Sequence, residues 1–115
     1  MTRSTLQPTR SACCCTPLGS ASMSQADAAS LAKVLKALAD PSRLRMLSLL
    51  SNTEGMESCG CDLLEPLGLS QSTVSHHFKV LTDAGLVARD KRGVWVHYSI
   101  VPKAVAQIAG RLASL

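Results

Sequence analysis

The sequence predicts a mainly α-helical domain carrying one β-hairpin, in the order α-α-α-α-β-β-α. Three observations predict it. Apolar residues recur at helical spacing in several segments, and most of these segments open on a residue able to cap a helix. Two later runs have strand character and flank a turn-forming tetrapeptide. The length of 115 residues suits one small domain and is too short for two. Hydrophobic residues make up 46% of the chain, yet only Phe78, Trp95 and Tyr98 are aromatic. The core must therefore be built from Leu, Val, Ala and Met. A chain of this size has a high surface-to-volume ratio, so pairing with a second copy would help it bury apolar surface.

Residues 1–23 are rich in Ser, Thr, Pro and Ala and carry the triplet Cys13-Cys14-Cys15. They read as a flexible N-terminal arm, with the ordered domain spanning 24–115. Met23 is a second candidate start, and a chain beginning there would lack the arm thiols. Ser24 with Asp27 fits the start of a first helix. Leu31, Val34, Leu35 and Leu38 follow at helical spacing. Asp40-Pro41 opens a second helix, with Asp as N-cap and Pro at the first helical position. Leu44, Met46, Leu47 and Leu50 form its expected apolar face. Residues 51–60 read as a loop. A short helix over 62–67 contains Pro66 and is stopped by Gly68.

Ser70 is a suitable N-cap for a helix running to about Ala84. Val74, Phe78 and Leu81 recur at i, i+4 and i+7 and fix its buried face. Gly85 ends it. Strands are expected over 86–89 and 94–100, flanking Asp90-Lys91-Arg92-Gly93 as a basic tip. Pro102 opens a last helix with Val105, Ile108 and Leu112 on one stripe.

The formal net charge is +4, and its distribution says more than its total. Glu54, Glu57, Asp62 and Glu65 form a stretch without Lys or Arg. Lys79, Arg89, Lys91 and Arg92 form a later basic group, interrupted by Asp83 and Asp90. This permits a polyanionic partner. No run of ~18 apolar residues is present, so no membrane span is expected. Residues 1–22 lack the apolar stretch of a signal peptide. The protein is expected in the cytoplasm, with its five cysteines as reduced thiols.

Two short helices separated by Gly68-Leu69-Ser70 fit a helix-turn-helix, whose second helix enters the DNA major groove. The segment 70–81 is then the recognition helix. It offers Gln71, Ser72, Thr73, Ser75, His76, His77 and Lys79. Gln pairs bidentately with adenine, and Ser or Thr binds several base edges or phosphate. Arg89, Lys91 and Arg92 on the hairpin would suit a wing lying on the DNA backbone or in the minor groove. The expected fold is thus a winged helix-turn-helix.

The stretch from Cys59-Gly60-Cys61 through Leu67-Gly68-Leu69-Ser70 and Val74-Ser75-His76-His77-Phe78 to Gly85-Leu86-Val87 resembles the core of the ArsR/SmtB family of metal-responsive repressors. Upstream, Leu35-Lys36-Ala37-Leu38-Ala39-Asp40-Pro41-Ser42-Arg43-Leu44-Arg45-Met46-Leu47 resembles the family's second-helix signature. Downstream, Arg92-Gly93-Val94-Trp95-Val96-His97-Tyr98 resembles its wing. The resemblance covers about residues 31–101. Ser72 departs from it, since many members have Pro there. The resemblance implies a homodimer bound to double-stranded operator DNA at an imperfect inverted repeat, with the first and last helices at the dimer interface. The apolar stripes on those helices fit that role independently.

Members resembling this chain bind soft ions at a Cys-x-Cys just before the helix-turn-helix, where Cys59 and Cys61 stand. Thiolates select soft ions over Mg or Ca. Cys15 lies nine residues before Ser24, so the arm could span up to ~30 Å and reach that region in its own or a partner subunit. A subgroup of the family carries Cys-Cys-Thr in the arm, matched here by Cys14-Cys15-Thr16, which leaves Cys13 as a spare. As(III) or Sb(III) takes three thiolates in a pyramid, from Cys14, Cys15 and one of Cys59 or Cys61. A four-thiolate set would suit Cd(II) or Pb(II). Arsenic is the favoured inducer, and both sets stay open. Family members that sense zinc or nickel often use Asp, His and Glu of the last helix, and residues 101–115 contain none.

A thiol redox sensor of the same fold is the nearest alternative, with disulfides forming between arm and loop. A thiol enzyme needs an anion-binding loop beside a nucleophilic Cys. Cys59 and Cys61 instead stand in an acidic stretch, which repels oxyanions and raises thiol pKa. The chain is therefore not expected to be an enzyme.

Overall fold

The computed structural model describes residues 22–115, and the Cys13-Cys14-Cys15 triplet lies outside them. Helix α1 spans Gln25–Leu38 and α2 spans Pro41–Ser51. Their caps are those the sequence implies. The Ser24 side chain accepts from the Asp27 N–H, and the Asp40 carboxylate accepts from the Arg43 N–H, with Pro41 in the first turn. Each satisfies an otherwise orphaned donor of a helix start.

Residues 51–60 are not simply a loop. Ser51 closes α2, a 3₁₀ turn covers Glu54–Met56, and strand β1 follows at Glu57–Cys59. The strand is three residues long and shows no alternation of burial. Among the described residues its pairing partner lies about forty residues away, as the register Glu57↔Ser99 shows, so no local pattern announces it. The short helix expected over 62–67 is a 3₁₀ turn, Gly60–Leu63, running into one α-helical turn, α3, Leu64–Leu67. Gly68 ends it in the left-handed conformation at φ +68°.

Helix α4 spans Gln71–Asp83 with Ser70 as its N-cap. Strands β2 (Val87–Arg92) and β3 (Trp95–Ile100) pair antiparallel, closing on Arg92↔Trp95. The turn is therefore Gly93-Val94, not a basic tetrapeptide. Gly93 sits at φ +65°, as a tight hairpin turn demands. With β1 the sheet has the order β1-β3-β2. Helix α5, Pro102–Ala113, completes the domain. The order α-α-α-α-β-β-α thus holds, with one short strand added before α3.

The core gathers Met46 and Leu50 of α2, Phe78 and Leu81 of α4, and Leu86, all with no exposure. Met46 and Leu50 are one helical turn apart and share a face. Leu44 lies off that face and is 52% exposed, against the sequence expectation. Leu31 is buried on α1, while Val105 and Leu112 on α5 are exposed.

Candidate operator-reading surface and thiol pair

Burial of Val74, Phe78 and Leu81 turns the opposite side of α4 outward. Gln71, Ser72, Ser75, His76 and Lys79 are exposed there, while Thr73 and His77 are half-buried. The Ser70 hydroxyl organises the first turn. It accepts from the Thr73 N–H at 3.3 Å and lies 2.9 Å from the Thr73 hydroxyl. Lys79 pairs with Asp83 at 3.2 Å on the surface.

His77 does not stand out with the others. It is one turn from Val74 and flanks the buried face, where Arg43 Nη1 donates to its Nδ1 at 3.1 Å. The same guanidinium donates through Nε to the Ala37 carbonyl at 2.6 Å. Arg43 therefore ties the C-terminal carbonyls of α1 to α4. Its own backbone N–H is the main reason the Asp40 carboxyl is held below the usual carboxylate range. Desolvation opposes that, and the charge of Arg43 adds to it.

On the wing, Arg92 is held from two sides. Its Nη1 donates to Glu57 Oε1 at 2.8 Å and its Nε to Asp90 Oδ2 at 2.8 Å. A second donation, Nη2 to Glu57 Oε2 at 3.4 Å, makes the Glu57 contact two-pronged. Arg89 and Lys91 are exposed and make no ion pair among the described residues. The hairpin tip is apolar, with Val94 85% and Trp95 58% exposed. Behind it, His97 Nδ1 is buried without a hydrogen-bond partner, 3.9 Å from Glu57 Oε1.

Cys59 ends β1, half-buried and in register with His97, and Cys61 is exposed in the following 3₁₀ turn. The Cys61 N–H donates to Cys59 Sγ at 3.4 Å. The side chain of Cys59 is the main reason the Cys61 thiol is pushed up to about 11. Burial and then the charges of Cys59 and Asp62 act in the same direction. The acidic stretch thus raises the thiol pKa as expected, but the neighbouring sulfur raises it more. A pair of adjacent soft donors is chemically suited to a thiophilic ion.

Gly60 between them has a packing reason. A Cβ there would lie 3.2 Å from Tyr98 Cε2 and 3.7 Å from Phe78 Cε2. The loop rests on the stacked rings of those two residues, one from α4 and one from β3. Cys59 and Cys61 also border a crevice of about 360 Å³ between α4 and the wing, lined by Gln71, Ser75, Trp95 and Tyr98 among others. Cys14 and Cys15 lie outside the described residues, so the structure brings together only half of the expected thiol set. Among the described residues no three His, Cys, Asp or Glu side chains converge as a metal site. Sequence reasoning did not single out Arg43, Glu57 or Tyr98. Nothing local marks them, because their roles depend on partners far along the chain.

A recognition helix set behind a short helix and a tight turn, with a two-stranded wing beside it, defines a winged helix-turn-helix regulator. Residues 40–89 match the family described as bacterial regulatory protein, arsR family. The chain is 40% identical over 77 residues to an uncharacterized HTH-type transcriptional regulator of Methanocaldococcus jannaschii, covering 67% of this chain and 84% of that one. It is 52% identical over 63 residues to the arsenical resistance operon repressor of Staphylococcus xylosus, covering 55% of this chain and 58% of that one. The solution structure of a homodimeric winged helix-turn-helix DNA-binding domain from Mycobacterium bovis superposes with a TM-score of 0.63 at 28% identity, covering 81% and 87% of the two chains. The chain belongs to the ArsR family. It is a DNA-binding transcriptional regulator and not an enzyme. No helix among the described residues is long and apolar enough to cross a membrane.

Proposed function

We propose that this regulator is a metalloid-responsive repressor, holding its operator in the ligand-free form and releasing it when As(III) or Sb(III) binds cysteine thiolates. The observation that carries this reading is the seat of Cys59-Gly60-Cys61 on the Phe78–Tyr98 stack. Phe78 belongs to the recognition helix and Tyr98 to the wing. A ligand that draws the thiol loop into a new geometry therefore acts on both reading elements through one contact.

In this reading the dimer binds an imperfect inverted repeat, each copy placing Gln71, Ser72, Thr73, Ser75, His76 and Lys79 toward the major groove. Arg89 and Lys91 meet the backbone, while Arg92 is first engaged by Glu57 and Asp90, and His77 by Arg43. The exposed Val105 and Leu112 of α5 would be covered at the dimer interface with α1. The homodimeric relative supports this assembly. Cys14 and Cys15 of the arm complete the three-thiolate set with one of Cys59 or Cys61, Cys13 being spare. Arsenite binding then releases water: As(OH)₃ with three thiols gives the tris-thiolate and three waters. The adjacency of Cys59 and Cys61 also favours a second reading, in which both join Cys14 and Cys15 in a four-thiolate site for Cd(II) or Pb(II).

The test is fluorescence anisotropy of labelled operator, selected from genomic DNA, titrated with arsenite. Operator release by arsenite, lost in Cys59→Ser/Cys61→Ser, is the expected result. Coupling is reciprocal, so operator must weaken arsenite binding by the same factor. An operator affinity indifferent to arsenite would overturn the proposal. Release by Cd(II) alone, with four thiolates bound, would establish the second reading.

A further inference from the structure

We propose that the hairpin tip, Val94-Trp95, is an apolar wedge that opens a base step in the operator's minor groove, so that the regulator also selects sequence beside the bases facing α4. This rests on the reading of α4 and the wing as the operator-facing surface, and adds to it a residue that discriminates by DNA deformability.

A hairpin that holds DNA by charge alone carries its cations at the tip. Here they are set back. Arg92, the last residue of β2, is engaged by Glu57 and by Asp90, each at 2.8 Å. Arg89 and Lys91 stand farther back on the same strand. The tip itself presents Val94, 85% exposed, and Trp95, 58% exposed. Among the described residues they are the one pair of large apolar neighbours in sequence that are both exposed. The apolar faces assigned to dimerisation lie on α1 and α5, so a second copy does not cover this pair. An apolar pair flanked by unpaired cations fits a partner that is charged outside and apolar within, as stacked bases between phosphates are.

The crevice between α4 and the wing sets where the tip falls. Gln71 and Ser75 line it from α4, Val94 and Trp95 from the hairpin, and Arg89 also borders it. With α4 in the major groove, the crevice straddles one phosphate strand. Arg89 meets that strand, and the tip reaches the next minor groove. That groove is about 6 Å wide in B-form DNA, too narrow for an indole and its hairpin. Apolar side chains enter it by partly unstacking a base step and kinking the duplex. The cost depends on the step: TA opens easily, whereas an A-tract is stiff and narrow. The indole offsets that cost by stacking on the base face it exposes. Sequence under the tip is then selected without a hydrogen bond to any base.

Trp95 is the only tryptophan, so its emission reports the tip directly. The full chain is titrated with the selected operator in two forms, its flanking steps changed to TA or to an A-tract. 2-Aminopurine at the flanking step reports unstacking. The variants are Trp95→Ala, Trp95→Phe and Gln71→Ala/Ser75→Ala. Wild type should bind the TA form about tenfold more tightly than the A-tract form. Its Trp95 emission should fall and the 2-aminopurine emission rise. Trp95→Ala should bind the TA form about tenfold more weakly and treat the two forms alike within about twofold. Trp95→Phe keeps an aromatic wedge and should retain the preference, which separates loss of the ring from loss of the wing's fold. The α4 variant should weaken both forms equally.

A flank preference that survives in Trp95→Ala, or Trp95 emission that does not change on binding, overturns the proposal. If the α4 variant weakens binding while Trp95→Ala alters neither affinity nor preference, the wedge fails and the reading of α4 stands. If the α4 variant binds as wild type while the Trp95 results hold, the reading of α4 fails and the wedge stands.

Discussion

The rings of Phe78 and Tyr98 lie parallel, with centroids 3.8 Å apart and planes 1° from each other. Phe78 is fully buried on α4, and Tyr98 is half-buried on the central strand β3. With Gly60 packed on their edges, the pair joins recognition helix, wing and thiol loop in one contact. Phe78→Ala should cost about 3–5 kcal/mol, the usual range for emptying such a site, against a total of roughly 5–14 kcal/mol for a domain this size. Tyr98→Phe keeps the ring and should melt near wild type. Gly60→Ala needs the Tyr98 edge to give by a few tenths of an ångström, for about 1 kcal/mol. Thermal melts of the three variants, with operator anisotropy beside them, check the order Phe78→Ala worst, Tyr98→Phe mildest.

The state of Cys61 separates the candidate inducers by pH. Its thiol holds a proton up to about 11. Cd(II) must displace that proton into solvent, so Cd(II) affinity should rise at least tenfold per unit from about pH 6 to 8. Arsenite carries its own hydroxyls, which leave with the thiol protons as water, so its affinity should stay flat over the same range. Equilibrium titrations at several pH values check this. A Cd(II) affinity that does not vary with pH would show that no protonated thiol is displaced.

Salt dependence should distinguish the basic residues of the wing. Arg89 and Lys91 make no ion pair among the described residues, whereas Arg92 is held by Glu57 and Asp90. Arg89→Ala or Lys91→Ala should each lower the slope of log affinity against log salt by about one. Arg92→Ala should leave the slope near wild type and instead loosen β2 from β1. A full unit lost in Arg92→Ala would mean that the ion pairs open on DNA.

Arg43 should behave as a positioning residue for α4. Because guanidinium has no acceptor, His77 Nδ1 must be unprotonated where Arg43 donates to it. Nitrogen-15 spectra of the free protein near neutral pH should therefore show His77 with its proton on Nε2. Arg43→Lys loses the fork that reaches Ala37 and His77 together. It should weaken operator binding several-fold at unchanged salt slope, and the tautomer signature should disappear. A changed slope would instead mark Arg43 as a phosphate contact.

Much of this molecule was legible in the chain. Ser24, Asp40 and Ser70 cap the helices they announce, and Gly68 and Gly85 stop theirs, because caps and stops act within three or four residues. The buried face of α4 followed from Val74, Phe78 and Leu81 at helical spacing. The family resemblance covers the stretch over 40–89 that matches the arsR family. Only the tertiary structure decided the rest. Strand β1 exists because β3 offers it a partner, and its three residues carry no pattern of their own. Arg92 is expected from the sequence on the wing's DNA side, and the fold pairs it with Glu57, distant in sequence. His77 is expected among the reading residues, and the fold half-buries it against Arg43. Gly60 was a spacer between two cysteines, and became the seat of the thiol loop on two rings from different elements. Local rules fix capping and periodicity, whereas pairing, ion pairing and ring stacking depend on which distant residues the fold brings together.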